Sequence, residues 1–165
     1  MNGLLGSICI ICASLILIWQ RQCENRRRND VLSDLIFVFR RMSEEIRMTQ
    51  PPLVKLLKKL AVDCHQDTSD FLYTVSDTAG REQLISDVWK KEAKKLPISK
   101  SEQAVVIEAS EVLNHDEMGI CKGLLLACSG LEMSKMEWDR RRLEEERRTA
   151  AVYLSCASLL VILLI

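Results

Sequence analysis

Three prolines and six glycines are all that interrupt 165 residues. That scarcity, with aromatics at 5% and long stretches rich in Leu, Glu, Lys and Arg, argues for helix over sheet. A net charge is missing too. Twenty-three Lys and Arg offset 23 Asp and Glu, so no bulk field draws the chain onto nucleic acid or an anionic surface. Any electrostatic partner must be local.

Chemistry-bearing motifs are equally scarce. No G-x-x-x-x-G-K-[ST] or G-x-G-x-x-G is present, so the backbone cradle that phosphate chemistry needs is absent from the sequence. Cys9 and Cys12 have C-x-x-C spacing but sit in an apolar stretch without a second ligand pair, which suits packing better than zinc or redox use. Cys121 and Cys128 lie seven residues apart on one helical face and are expected in a core. Cys23, Cys64, Cys121 and Cys128 read as reduced thiols rather than a disulfide framework. The two histidines, His65 and His115, have no motif beside them and are expected in exposed turns. No catalytic, cofactor-binding or metal-ligating residue is assigned, and an enzyme is not expected.

What the sequence has is two uncharged apolar ends. Gly3 to Trp19 carries no charge, ends on an interfacial Trp and meets Arg21, Arg26, Arg27 and Arg28. At about 17 residues it is near the short limit for crossing a bilayer. Its positive charge follows the apolar run, the reverse of a cleaved signal peptide, so a retained anchor is expected. Thr149 to Ile165 finishes on Leu159 to Ile165, seven consecutive large aliphatics, preceded by Arg140, Arg141, Arg142, Arg147 and Arg148. Both basic flanks face the middle of the chain. The positive-inside rule then puts that middle in the cytoplasm and both termini across the membrane. Topology also explains Arg26 to Arg28 more simply than nucleic-acid binding does.

Between the ends, Leu32, Leu35, Phe39, Met42 and Ile46 recur at intervals of three and four, one stripe of a helix from about Asn25 to Met48. Pro51 and Pro52 stop it, since proline lacks the amide donor and restricts the residue before it. Leu53, Leu56, Leu57, Leu60, Ala61 and Cys64 form the inner face of a second helix, with Lys55, Lys58 and Lys59 on a solvated face. A third carries Phe71, Leu72 and Val75, with Thr68 as its cap and Gly80 beyond its end. A fourth carries Leu84, Ile85, Val88 and Trp89, and Pro97 closes the connection after it. Ser99 and Glu102 fit a capping box that opens a fifth, with Val105, Ala109, Val112 and Leu113 inward. After a turn at Asn114 and His115, a long helix begins near Asp116 and buries Leu124, Cys128 and Leu131. Its second half carries pairs four residues apart: Glu137 with Arg141, Arg140 with Glu144, Arg141 with Glu145, Arg142 with Glu146 and Glu144 with Arg148. Each contributes about 0.2 to 0.5 kcal/mol, enough together to support a solvated stalk.

The expected organisation is therefore all-α. Residues 1–20 form a transmembrane helix, 21–148 a cytoplasmic bundle of about five to six helices with a charged stalk at about 132–148, and 149–165 a second transmembrane helix.

Several of these stretches resemble the stage III sporulation protein AB family of endospore-forming bacteria. Glu44, Glu45, Ile46, Pro51, Pro52 and Leu53, with the leucine-rich helix through Leu60 and Ala61, are similar to the family's "TEI-x-YG-x-TPL" stretch and the helix after it. Val88 and Trp89 resemble its "AW", and Val161 to Ile165 its membrane tail. The departures are Arg47, Met48, Thr49 and Gln50 where the family has Tyr and Gly before Thr-Pro, and Pro51 in place of the Thr. Ser110 and Asn114 stand where it has glycines in "FG" and "LG"; Asn tolerates the left-handed conformation that Gly adopts freely.

The resemblance implies a non-enzymatic adaptor in the complex joining mother cell and forespore, in the mother-cell membrane around the forespore. Its soluble domain would resemble the cytoplasmic domain of the type II secretion platform protein. The partners implied are a secretion-type ATPase and other membrane subunits, with no cofactor and no nucleic acid. The alternative is a membrane-anchored helical spacer, a homo-oligomer self-associating through the Leu32 to Ile46 stripe. The turn carrying the family signature presents Glu45, Gln50, Pro52 and Lys55 as candidate partner-binding residues, because two prolines reduce the entropy lost on ordering it.

Overall fold

The structure is a computed structural model that describes residues 2–79, 85–113 and 116–164, with side chains over 19–20, 23–78, 85–113, 116 and 118–141. Its described residues form six helices: α1 (Asn2–Thr49), α2 (Leu53–Ala61), α3 (Gln66–Ala79), α4 (Ile85–Ala93), α5 (Lys100–Val112) and α6 (Glu117–Leu164). Contacts divide the chain into two compact units, Met1–Leu131 and Glu132–Ile165. In the second, Arg141 bonds Glu137 across one helical turn as its spacing predicts. The other expected pairs reach beyond Arg141, outside the described side chains. Among the described residues no helix is long and apolar enough to cross a membrane. The side chains on which the two expected anchors rest, Gly3 to Ile18 and Thr149 to Ile165, lie outside them, as do Gly80, Leu84, Asn114 and His115.

The first unit is organised around the C-terminal half of α1. Leu32, Leu35, Phe39, Met42 and Ile46 are all 9% exposed or less, as their spacing predicts, and Val31 and Val38 join them. The stripe is broadened because α1 meets more than one neighbour, α3 on one side and the start of α6 on another. This overturns self-association through that stripe: its side chains already fill the bundle's own core. On α2, Leu56, Leu57, Leu60 and Ala61 are buried while Leu53 and Cys64 are half-buried. The helices then follow in series, α2 against α3, α3 against α4 and α4 against α5.

Trp89 ties four of them together. Its ring is fully buried, stacked near Phe39 of α1 with centroids 6.2 Å apart and edge-on to Phe71 of α3 at 5.1 Å. Its Nε1–H donates to the Val106 carbonyl of α5 at 2.9 Å, so the polar atom of the indole is satisfied inside the core. On α5, Val106 is buried and Val105 only half-buried, the reverse of the expected inward set; two adjacent valines leave the choice to the neighbours. Ser110 is buried, and its hydroxyl donates to the Ile107 carbonyl at 2.6 Å, which removes the cost of a buried polar group there.

α6 closes the bundle from two sides. Against α1, the Cys121 thiol donates to the Ser43 carbonyl and the Ser43 hydroxyl to the Cys121 carbonyl, each at 3.4 Å. One heptad on, the Cys128 thiol reaches the Ile36 carbonyl at 3.7 Å. Pairing 43 with 121 and 36 with 128 fixes an antiparallel register. Within this unit, the Val31 end of the core stripe on α1 and Leu131 of α6 therefore lie at the same end of the bundle. Against α5, Gly123 faces Val112 and Gly130 faces Val105, again antiparallel.

The two glycines differ in what they permit. A Cβ on Gly123 would lie 2.2 Å from Val112 Cγ1 and 2.9 Å from its Cβ, whereas one on Gly130 would meet Val105 at an ordinary 3.7 Å. Gly123→Ala should lower stability by about 1 to 3 kcal/mol, because overpacking outweighs the gain in helix propensity. Gly130→Ala should raise it by up to about 1 kcal/mol. Denaturant titration followed by circular dichroism checks both, and adding Val112→Ala, which removes the two Cγ contacts and leaves the Cβ at 2.9 Å, should recover part of the Gly123→Ala loss.

Candidate functional site

α1 ends where Gln50 takes a positive φ of 44° and its N–H returns to the Ile46 carbonyl at 3.3 Å. This is a left-handed helix end, which satisfies one of the carbonyls a terminating helix leaves over. Pro52 follows in extended backbone and caps α2 through its carbonyl, which accepts from the amides of Lys55 at 2.9 Å and Leu56 at 3.1 Å. Restriction by the two prolines thus carries the chain from one helix to the next in three residues.

The four residues singled out in sequence meet at this turn with different roles. Glu45 is bound by Lys59 at 2.6 Å, and that hydrogen bond holds its carboxyl below the ordinary range. It therefore faces α2 one turn beyond Lys55 as part of a pair. Lys55 is exposed on the first turn of α2, and Pro52 is exposed beside it. Gln50 lines an open apolar groove of about 310 Å³ with Ile46, Pro51, Leu53, Leu113 and Ile120. Sequence reading missed this groove because Leu113 and Ile120 come from elements distant in the chain. The exposed Met48 and Met118, each 80% accessible, stand within two residues of its lining.

At the other end of the unit, α1 makes polar contacts that periodicity could not reveal. Arg28 forms a bidentate pair with Glu102, at 2.7 and 3.2 Å, and that carboxylate is 1% exposed. Glu102 also completes the capping box expected from sequence: Ser99 N–H donates to it at 2.7 Å, and its own N–H donates to the Ser99 hydroxyl. Arg27 forms a second bidentate pair with Asp67 in the first turn of α3, holding that carboxyl below its ordinary range. Two arginines expected only as a topological flank are thus clamps onto helix starts, where their carboxylate partners also meet favourable helix dipoles.

The start of α3 is bound to α1 a second time. The buried Asp34 accepts from the His65 backbone N–H at 2.6 Å and sits 3.0 Å from its Nδ1. That hydrogen bond, reinforced by the Asp34 charge, raises the His65 imidazole above its ordinary range. His65 is exposed, as expected for a turn, but engaged. Capping of α3 comes from Asp34 rather than Thr68, which lies buried inside the helix. Cys64 beside it is half-buried, and burial, with the Asp34 and Asp63 carboxylates, pushes its thiol up to about 12. The four described cysteines are free thiols.

Comparison with known proteins gives the following. The family model for stage III sporulation protein AB matches residues 3–165. A solved structure of stage III sporulation protein AB has a similar fold, with a TM-score of 0.65 and 24% identity over 71% of this chain and 97% of that one. Curated proteins yield no match.

The left-handed Gln50 provides a direct check on the turn. A side chain costs roughly 1 to 2 kcal/mol in that conformation and glycine avoids the cost. Gln50→Gly should stabilise the domain by about 1 kcal/mol in denaturant titration, while Met48→Gly, one turn-half earlier in the helix, should destabilise it by a similar amount.

Proposed function

The chain belongs to the stage III sporulation protein AB family, and from that membership we propose that it is a non-enzymatic membrane adaptor of the complex that joins mother cell and forespore. Its helical bundle lies in the mother-cell cytoplasm between two membrane anchors, and a secretion-type ATPase and further membrane subunits are its partners. The observation that carries this reading is the antiparallel register of α1 with the start of α6. Chain entry and exit at one end of the bundle suit a domain tethered twice to a single membrane face, with its opposite end turned toward the cytoplasm. Pairing of Arg27 and Arg28 with carboxylates leaves the topological argument intact, because the positive-inside rule counts Lys and Arg rather than net charge.

In this reading the Gln50–Pro52 turn, at the end away from chain entry, presents the partner surface. A rigid turn between two packed helices offers its side chains with little entropy left to lose. The bundle contributes shape and position, and motion or catalysis comes from the ATPase.

Two measurements test the proposal. A full-length tagged chain recovered from sporulating cells should bring with it a secretion-type ATPase and other membrane subunits; recovery of the chain alone would refute the adaptor. For orientation, Met48→Cys in a chain otherwise free of cysteine should react with a membrane-impermeant thiol reagent only after lysis. Met48 suits this better than Cys64 or Cys121, since it is 80% exposed and they are half-buried. Labelling of intact cells would reverse the topology.

A further inference from the structure

The connection between α2 and α3, residues 62–65, is held against α1 by the buried carboxylate of Asp34. Its Oδ2 accepts from the His65 backbone N–H at 2.6 Å, and the same side chain faces the His65 ring, whose Nδ1 is 3.0 Å from Oδ1 and 3.2 Å from Oδ2. The His65 carbonyl in turn accepts from the Ser69 amide at 2.9 Å, where α3 begins. Backbone and ring of one residue therefore converge on one acid. The partners differ in their access to water, since the Asp34 side chain is 10% exposed and the imidazole 65%. A proton reaches the ring from solvent without disturbing the carboxylate.

A ring nitrogen lying within hydrogen-bond distance of both carboxylate oxygens needs a proton between them. The imidazolium always carries one there; the neutral ring does so only as its Nδ1–H tautomer, and otherwise sets a lone pair against the oxygens. Loss of the ring's charge thus replaces a charge-assisted bond by a weaker one. The bond to Asp34, the Asp34 charge and the charge of Asp30, one turn earlier on α1, all favour the imidazolium. In the connection itself, Asp63 adds a further carboxylate, and the Cys64 thiol, pushed up to about 12 by burial with the Asp34 and Asp63 charges, stays protonated near neutral pH. On α2, Lys58 is matched by Asp77 and Lys59 by Glu45. On α3, Asp67 is matched by Arg27 of α1, and their mutual hydrogen bond holds the carboxyl below and the guanidinium above its ordinary range. That clamp keeps both charges while the ring titrates, and so keeps α3 seated.

From this geometry we propose that the α2–α3 connection is a proton-operated latch: an imidazolium at His65 closes it on Asp34, and a neutral ring lets residues 62–65 and the first turn of α3 open while the Arg27–Asp67 clamp stays shut. The latch belongs to the bundle itself and stands whether or not the adaptor reading does. Because the closed state favours the charged ring, its stabilisation is complete below the ordinary imidazole value of about 6.5 and is lost as pH rises through the higher value of the closed state.

The test uses the detergent-solubilised full chain carrying His115→Gln, which leaves His65 as its one histidine. Isotope-labelled histidine reports the titration by NMR, and hydrogen exchange, corrected for its intrinsic pH dependence, reports opening. The ring should titrate above about 6.5. Protection of residues 62–69 should fall as pH rises through that same titration, while protection of the core stripe on α1 stays level. Asp34→Asn keeps an acceptor for the His65 N–H but removes the charge, and should bring the titration down to the ordinary value or below. His65→Gln, uncharged at every pH, should abolish the pH dependence of protection with the circular dichroism spectrum unchanged; it decides the question with the native residues if Asp34→Asn does not fold. A native ring that titrates at or below its ordinary value, protection that stays level across the titration, a fall shared by all the helices, or the same fall in His65→Gln would overturn the proposal.

Discussion

Glu102 is a carboxylate with 1% of its surface exposed, and a charge so placed has to be paired where it sits. Arg28 supplies two hydrogen bonds and the Ser99 amide a third, so the carboxylate is held from α1 and from its own helix start together. Removing one partner of a buried pair of this kind typically costs about 3 to 5 kcal/mol, because the other charge is left without compensation. The pair therefore fixes the start of α5 against α1, and α5 sets much of the rest. Its Val106 carbonyl receives Trp89 of α4, and its Val112 and Val105 seat Gly123 and Gly130 of α6. Arg27 and Asp34 repeat the device on α3. A helix that carries the core stripe thus also holds two other helices by their N-termini.

Much of this architecture was legible in the sequence where it depends on local periodicity. The spacing of Leu32 to Ile46, the face of α2, the capping box at Ser99 and the buried Leu124, Cys128 and Leu131 follow from helical geometry and side-chain chemistry alone. Reading failed where the deciding partner is far along the chain. Arg27 meets Asp67 and Arg28 meets Glu102 across 40 and 74 residues, so nothing in the run Arg26 to Arg28 distinguishes a clamp from a flank. Asp34 displaces Thr68 as the cap of α3 for the same reason. Val105 and Val106 differ only in which neighbour each meets.

The candidate site was legible in part. The proline turn and its place after α1 could be read directly, and family resemblance drew attention to it. Its residues divide in the structure, however: Glu45 is engaged by Lys59, Lys55 and Pro52 stand exposed, and Gln50 turns into an apolar groove completed by Leu113 and Ile120. The signature marks a helix end whose left-handed residue and capping carbonyl make a fixed ledge, and the groove beside it arises from tertiary packing. Function on this account depends on a bundle that holds the ledge at one end and its chain entry and exit at the other.

That arrangement depends on the register of α1 with α6, which a cross-link reads directly in the full-length chain. With other cysteines replaced, Ser43→Cys should form an intramolecular disulfide with Cys121 on mild oxidation, and Ile36→Cys should do so with Cys128. Ile36→Cys with Cys121, offset by seven residues or roughly 10 Å along the helix, should not, since Cα atoms more than about 7 Å apart cannot be bridged. Matched pairs that stay reduced, or that link only between copies of the chain, would contradict the antiparallel register and with it the meeting of the Val31 end of the stripe and Leu131 at one end of the bundle.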